Sequence, residues 1–162
     1  LEALVLGARW VGTQPDAGLA DAAHNALGKI AAAAPTDLRT QIDDVGLWPV
    51  SFPAVRPAVN HLGIVRQAMT AERTLSLRYG DAQGRVTERL IWPVQIGFHE
   101  DRQTVVGWCL LRQAFRHFRT DRMLEAALTP RPYGKPRHML TSEWTAEMRR
   151  LAPEWFGILH DS

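Results

Sequence analysis

The chain changes its hydrophobic period near residue 74: apolar positions recur at helical spacing before it and alternate after it. Leu1, Leu4, Val5, Ala8 and Val11 fall at the 1-4-5-8-11 spacing of one helix face. Gly12-Thr13-Gln14-Pro15 breaks the run, and Asp16 is a candidate N-cap for a second helix. There Leu19, Ala23, Ala26, Leu27 and Ile30 form a stripe that the alanines at 31–34 extend to Pro35. Two short antiparallel helices are expected. Short helices are marginal alone, so they must pack on the rest of the chain or on another subunit. Residues 35–56, punctuated by Pro35, Pro49 and Pro53, read as a connector with one extended piece over Leu47 to Phe52. Pro57 suits the first position of a helix. Val59, Leu62, Val65 and Met69 continue that helix to Ala71.

From Leu75 the pattern is that of strands. Leu75, Leu77 and Tyr79 alternate with Ser76 and Arg78, and GDAQG at 80–84 is a glycine-bounded turn. Val86, Glu88, Leu90 and Trp92 then lie opposite Thr87, Arg89 and Ile91 until Pro93, which is expected to close the strand or mark an edge. Val94, Ile96 and Phe98 alternate again before the polar turn HEDR at 99–102. Residues 104–111, TVVGWCLL, suit a strand buried on both faces. After a turn at Gln113-Ala114, Phe115 to Arg119 form the next strand, and Met123, Glu125 and Ala127 suggest one more after a kink near Asp121. Five or six short strands with tight turns predict a small, strongly curved antiparallel barrel or sandwich. The expected fold is α+β, with the helical segment first. Three regions follow: a helical hairpin and connector over 1–56, a leading helix and barrel over 57–128, and an arm with a short helix over 129–162. The arm, TPRPYGKPRHM, reads as extended. Ser142 is a candidate cap for a helix from Glu143 to Arg150, with Trp144, Met148 and Leu151 on one side, and Trp155 and Phe156 are expected to dock on the body or on a neighbour.

At 162 residues, 46% apolar and 22% charged, the chain can bury a core without disulfides or metal. One cysteine, Cys109, excludes an intramolecular disulfide and fits a reducing, cytoplasmic setting. No apolar run is long enough to span a bilayer, and no signal peptide is visible. The chain starts at Leu1 rather than Met and reads as a fragment or processed piece.

The net charge of +2 conceals an asymmetry. Residues 1–55 carry a balance of −3, residues 56–142 one of +7, and residues 143–162 one of −2. An anionic partner belongs in the middle. The densest part is LRQAFRHFRTDRM at 111–123, with Arg112, Arg116, Arg119 and Arg122, His117 among them, and Asp121 as the only acid. Arginine forks suit phosphate or carboxylate and stack on bases. The alternative is an edge strand kept charged against aggregation.

Catalytic and metal chemistries find no pattern. The histidines at 24, 61, 99, 117, 138 and 160 lack metal-ligand spacing, and there is no CxxC, P-loop, GxGxxG or GxSxG. Cys109 sits in an apolar run, where a thiol is inert. His117 has no second titratable partner at a matching spacing. No enzyme, metal or cofactor is expected.

The stretch LSLRYGDAQGRVTERLIWPVQIGFHEDRQTVVGWCLLRQAFRHFRTDRM resembles the WYL domain of bacterial transcriptional regulators. The resemblance rests on Tyr79, Gly84, Arg89, Pro93 and Cys109, on the Arg-x-Phe-Arg of Arg116 to Arg119, and on Asp121-Arg122. The namesake Trp-Tyr-Leu positions are held by Gln103, Thr104 and Val105. The helical start also resembles a segment that lies between an N-terminal helix-turn-helix and the WYL domain in YafY-like members. The resemblance implies an Sm-like, SH3-type β-barrel and a ligand-sensing module of a helix-turn-helix transcription factor. Its effector would be a nucleotide or single-stranded nucleic acid. Operator DNA would be contacted by a preceding helix-turn-helix domain, which residues 1–162 do not contain, and the first two helices would form a homodimer contact. The alternatives are an Sm-like nucleic-acid-binding module acting alone and a nucleotide-processing enzyme with His117, flanked by arginines, as its acid/base.

The residues agree on the chemistry. Tyr79, Arg89, Arg116, His117, Arg119 and Arg122 are the candidate anionic-ligand site, with Tyr79 as a base-stacking platform. Strand alternation puts Arg116 and Arg119 on opposite faces, so all six converge only on a bulged or strongly twisted strand. Arg119 or Arg122 pairing with Asp121 or Glu125 is the structural alternative.

Overall fold

The computed structural model describes residues 1–35, 42, 46–49, 61–99 and 102–152. They fall into two compact units, residues 1–63 and 64–162.

In the first unit, α1 (Glu2–Gly12) and α2 (Ala17–Ala33) are the expected pair of helices. Asp16 is the cap of α2, its carboxylate accepting from the Leu19 N–H at 3.1 Å. Gly12 lets the His24 ring approach the end of α1: a Cβ there would lie 2.7 Å from His24 Nε2, and the ring would have to turn aside. The helical stripe is only partly used. Val5 is buried with Ile42, and Leu27 and Ala31 pack against them, whereas Leu4 is 64% exposed. Arg9 donates to the Leu47 carbonyl at 2.8 Å and lies 3.9 Å over the Trp48 ring. The extended piece expected over Leu47 to Phe52 is irregular at 46–49, and its remainder lies outside the described residues.

The helix expected from Pro57 begins at Leu62 as α3 (Leu62–Ala71). His61 is not helical, and Pro57 and Val59 lie outside the described residues. Five antiparallel strands follow among the described residues: β1 (Arg73–Gly80), β2 (Val86–Phe98), β3 (Gln103–Cys109), β4 (Ala114–Arg119) and β5 (Met123–Pro132). The β1–β2 turn is glycine-bounded as expected. Gly84 has φ +77°, and the Asp81 carboxylate accepts from the backbone N–H groups of Gln83 and Arg85, each at 2.9 Å.

The strand order is β4-β3-β2-β1-β5. β4 and β5 are therefore opposite edges, yet only a 3₁₀ turn, Thr120–Arg122, joins them. In a flat sheet those edges would stand roughly 19 Å apart, while three 3₁₀ residues advance about 6 Å. The sheet must coil, and it does: Tyr79 of β1 and Phe118 of β4 meet edge-to-face at 5.3 Å. The hydrogen-bonded ladder nevertheless ends at β4 and β5, so the expected barrel is not closed.

One face of the sheet carries the main core. Leu75, Leu77, Ile91, Val105, Cys109, Phe118 and Met123 pack there with Val65 and Ala68 of α3. The other face carries Val94, Tyr133 and Leu140, with Trp92, Trp108 and Phe115 against them. Leu140 belongs to α4 (Arg137–Leu151), so a helix lies against each face. This corrects the C-terminal reading in two ways. β5 takes in the first part of the expected arm, and the helix starts at Arg137 rather than Glu143. Ser142 is inside the helix, its hydroxyl donating to the His138 carbonyl at 3.1 Å. Trp155 and Phe156 lie outside the described residues.

Pro93 does not close a strand. It lies within β2, in a central position of the sheet, where the register with β3 shifts between Pro93 and Gln95. A bulge tolerates the missing N–H there. The Tyr133 hydroxyl donates to the Pro93 carbonyl and Arg137 donates to the Val94 carbonyl at 3.4 Å, so the residues leading into α4 serve the bulge. Opposite it, Gly107 fits closely: a Cβ would lie 3.1 Å from the Trp92 carbonyl oxygen, tight enough that the β2 backbone would have to give by a few tenths of an ångström.

Candidate functional site

The sheet decides how the arginine-rich stretch is used. β4 pairs with β3 without a register shift, from Cys109 opposite Ala114 to Thr104 opposite Arg119. Alternation therefore holds along it. Phe118 enters the core next to Tyr79, and Arg116 shares its face. His117 and Arg119 belong to the opposite face. The six candidate residues divide between two cavities, with His117 lining both.

The first cavity, about 260 Å³, lies on the main-core side. The buried Cys109 and Phe118 line it together with Tyr79, Arg89, Arg112 and Arg116, and so do Thr87, Asp81 and His117. The topology explains the grouping. Tyr79 opposes Thr87 on β1 and β2, Arg89 lies two positions along β2 on the same face, Arg116 comes from β4, and Arg112 from the β3–β4 turn. Asp81 is already engaged by Arg85 through a 2.8 Å ion pair, with backbone donors from Arg85 and Gln83, and these hold its carboxyl below the usual range. It leaves the three guanidinium groups of Arg89, Arg112 and Arg116 without an acidic partner among the described residues. Arg89 reaches only its neighbour's carbonyl, that of Glu88, at 3.3 Å.

Tyr79 has a different part from the one expected. Its hydroxyl accepts from the Arg119 N–H at 3.2 Å and its ring packs on Phe118. It forms a wall and ties β1 to β4, rather than standing free as a stacking platform.

Arg119, Arg122 and His117 line the second cavity, about 730 Å³, between the other face and α4. Arg119 is bound in a two-point pair to Asp121, at 3.0 and 2.8 Å, which lowers the Asp121 carboxyl's affinity for a proton. The structural alternative raised for Arg119 is thus its observed contact. Sequence reasoning missed the rest of this lining: Gln95, His99 and Arg102 from β2 and the turn after it, and Trp144, Thr145 and Met148 from α4. The expected helical side bearing Trp144 and Met148 pointed to it, but no sequence pattern says that such a side covers a void. Of the namesake positions, Thr104 lines this cavity and Val105 is fully buried in the core.

His117 has a testable titration. Partial burial pushes its imidazole below the usual range; Glu147 opposes this and His99 reinforces it. The unfolded chain then takes up the proton more readily than the folded one. The stabilising contribution is present above the unfolded value near pH 6.5 and is lost as pH falls through the lower folded value. The urea midpoint of the wild type is expected to fall more steeply from about pH 7 to pH 5 than that of His117→Gln. Parallel curves would mean that His117 carries no such linkage.

Among the described residues no helix is long and apolar enough to cross a membrane, and no group of three or more His, Cys, Asp or Glu could hold a metal ion.

Comparison with known proteins identifies the strand region. The WYL-domain family model matches residues 60–128, which take in α3 and reach into β5. The chain carries a WYL domain. Fourteen chains of solved structures match; one is proteasome accessory factor B/C (PafBC) of Arthrobacter aurescens, at 27% identity and a TM-score of 0.43. That match covers 45% of this chain and 12% of the PafBC chain. No curated protein matches. Arg89, Arg112 and Arg116 all lie within the WYL match, whereas Trp144 and Met148 lie beyond it.

Proposed function

We propose that this chain is the ligand-sensing part of a helix-turn-helix transcriptional regulator, and that its WYL domain binds an anionic effector, a nucleotide or single-stranded nucleic acid. The observation that supports this is that Arg89, Arg112 and Arg116 line one cavity without an acidic partner among the described residues, the Asp81 of its lining being paired with Arg85. Three guanidinium forks in one place repel one another unless an anion joins them. A volume near 260 Å³ suits a phosphate group rather than a whole nucleotide, so a strand would place one phosphate there and run outward. The coiled sheet with a 3₁₀ link before its last strand is the frame on which an Sm-like, SH3-type reading rests. In this reading α1 and α2 supply a homodimer contact, the protein is cytoplasmic, and operator DNA is held by a helix-turn-helix domain elsewhere in the full protein. No catalytic role is assigned to any residue.

Fluorescence anisotropy with labelled short single-stranded oligonucleotides and linear or cyclic dinucleotides tests the site. Arg89→Ala and Arg116→Ala are each expected to weaken binding by roughly tenfold or more, the usual cost of a hydrogen bond to a charged group. Absence of binding by the wild type, or undiminished binding by both variants, removes the proposal.

A further inference from the structure

The cavity under α4 is built from different parts. The buried stripe of α4 begins at Leu140, which packs with Val94 and Tyr133. One turn later the stripe reaches Trp144, and after it Met148, and there the helix faces a void of about 730 Å³ instead of side chains. Half of the helix is seated on a core and half roofs a cavity of the size that holds small-molecule ligands. Trp144 is only 9% exposed, and its indole N–H is buried with no acceptor among the described residues. Buried donors are nearly always paired, and an orphan costs free energy. The opposite wall carries three arginines, Arg102, Arg119 and Arg122, and the imidazoles of His99 and His117. Arg119 is fixed by Asp121, and the Arg122 guanidinium makes no hydrogen bond within the described residues.

We propose that this cavity is a second ligand site, taking a compound with a flat aromatic body and one anionic group. The body would lie against the Trp144 ring, Met148 and Val106, and the anion would meet Arg122 beside the Arg119–Asp121 pair. Nucleoside monophosphates and aromatic carboxylates share this chemistry. The site lies across the sheet from Arg89 and Arg116 and does not rest on the reading of their cavity.

The test is a titration of the ¹⁵N-labelled chain, following the indole N–H of Trp144, which Trp144→Phe assigns by its disappearance. Adenosine and cytidine 5′-monophosphate serve as the nucleotide arm and indole-3-acetate as the carboxylate arm. At least one of them shifts the Trp144 signal saturably. Calorimetry is expected to show binding weakened about two- to tenfold in Trp144→Phe, the scale of a reduced aromatic contact, and more than about tenfold in Arg122→Gln. Met148→Trp puts bulk where the flat body would lie and weakens binding while the chain stays folded. Arg131→Gln, outside both cavities, leaves this binding unchanged. The proposal is overturned if none of the three probes shifts the signal saturably, if Trp144→Phe binds as the wild type does, or if Arg131→Gln weakens binding as much as Arg122→Gln. Each outcome is read apart from the oligonucleotide titration, so either site can fail while the other stands.

Discussion

Phe118→Ala is expected to destabilise the chain by about 3–5 kcal/mol in urea unfolding, the range for removing a large buried aromatic side chain. Phe118 is 4% exposed and lies in the main core with Val105, its partner across the β3–β4 ladder. Its ring also meets Tyr79 edge-to-face, a geometry that adds about 0.5–1.5 kcal/mol beyond burial. That contact bridges β4 and β1, which are not neighbours in the sheet. Losing it loosens the coil as well as leaving a cavity. A loss below about 1 kcal/mol would show that the site collapses freely and that Phe118 does not set the curvature.

Tyr133 is the second position where a large effect is expected. It is 9% exposed, stacks on Trp92 at 5.9 Å and donates to the Pro93 carbonyl. Burial pushes its phenol well above the usual tyrosine value, so it remains a donor throughout the physiological range. Tyr133→Phe keeps the ring and leaves a buried carbonyl without that donor, for a loss of about 1–3 kcal/mol. Tyr133→Ala also removes the stack and is expected to cost about 3–5 kcal/mol. Because Tyr133 packs with Leu140, the second change should also raise amide exchange in the first turns of α4. Equal losses for the two variants would assign the whole effect to the hydrogen bond and none to the stack.

The sequence disclosed the order of the elements because period 3.6 and period 2 are local properties. It could not disclose how the sheet ends. β4 and β5 follow one another in the chain and become opposite edges of a coiled sheet, which depends on pairings far apart in sequence. Pro93 was misread for a related reason. A proline removes a donor wherever it stands, and only the β3 partner shows that a bulge has absorbed the loss. Alternation correctly warned that Arg116 and Arg119 diverge, and an unbulged β4 keeps them apart. Arg112 belonged to the noticed stretch, but its approach to Arg116 depends on the β3–β4 turn, in which Gln113 takes φ +49°. Ser142 looked like a cap because serine suits that position, whereas the helix is entered earlier at Pro136.

The most direct measurement of the central claim is the salt dependence of oligonucleotide binding, compared between the wild type and Arg116→Ala. For single strands each phosphate contact contributes about 0.7 to the slope of log K against log salt concentration. If Arg116 holds a phosphate beside Arg89 and Arg112, its replacement lowers both the affinity and that slope, the slope by roughly 0.7. A variant whose affinity falls while its slope stays that of the wild type would show that the arginine cavity does not receive the anion.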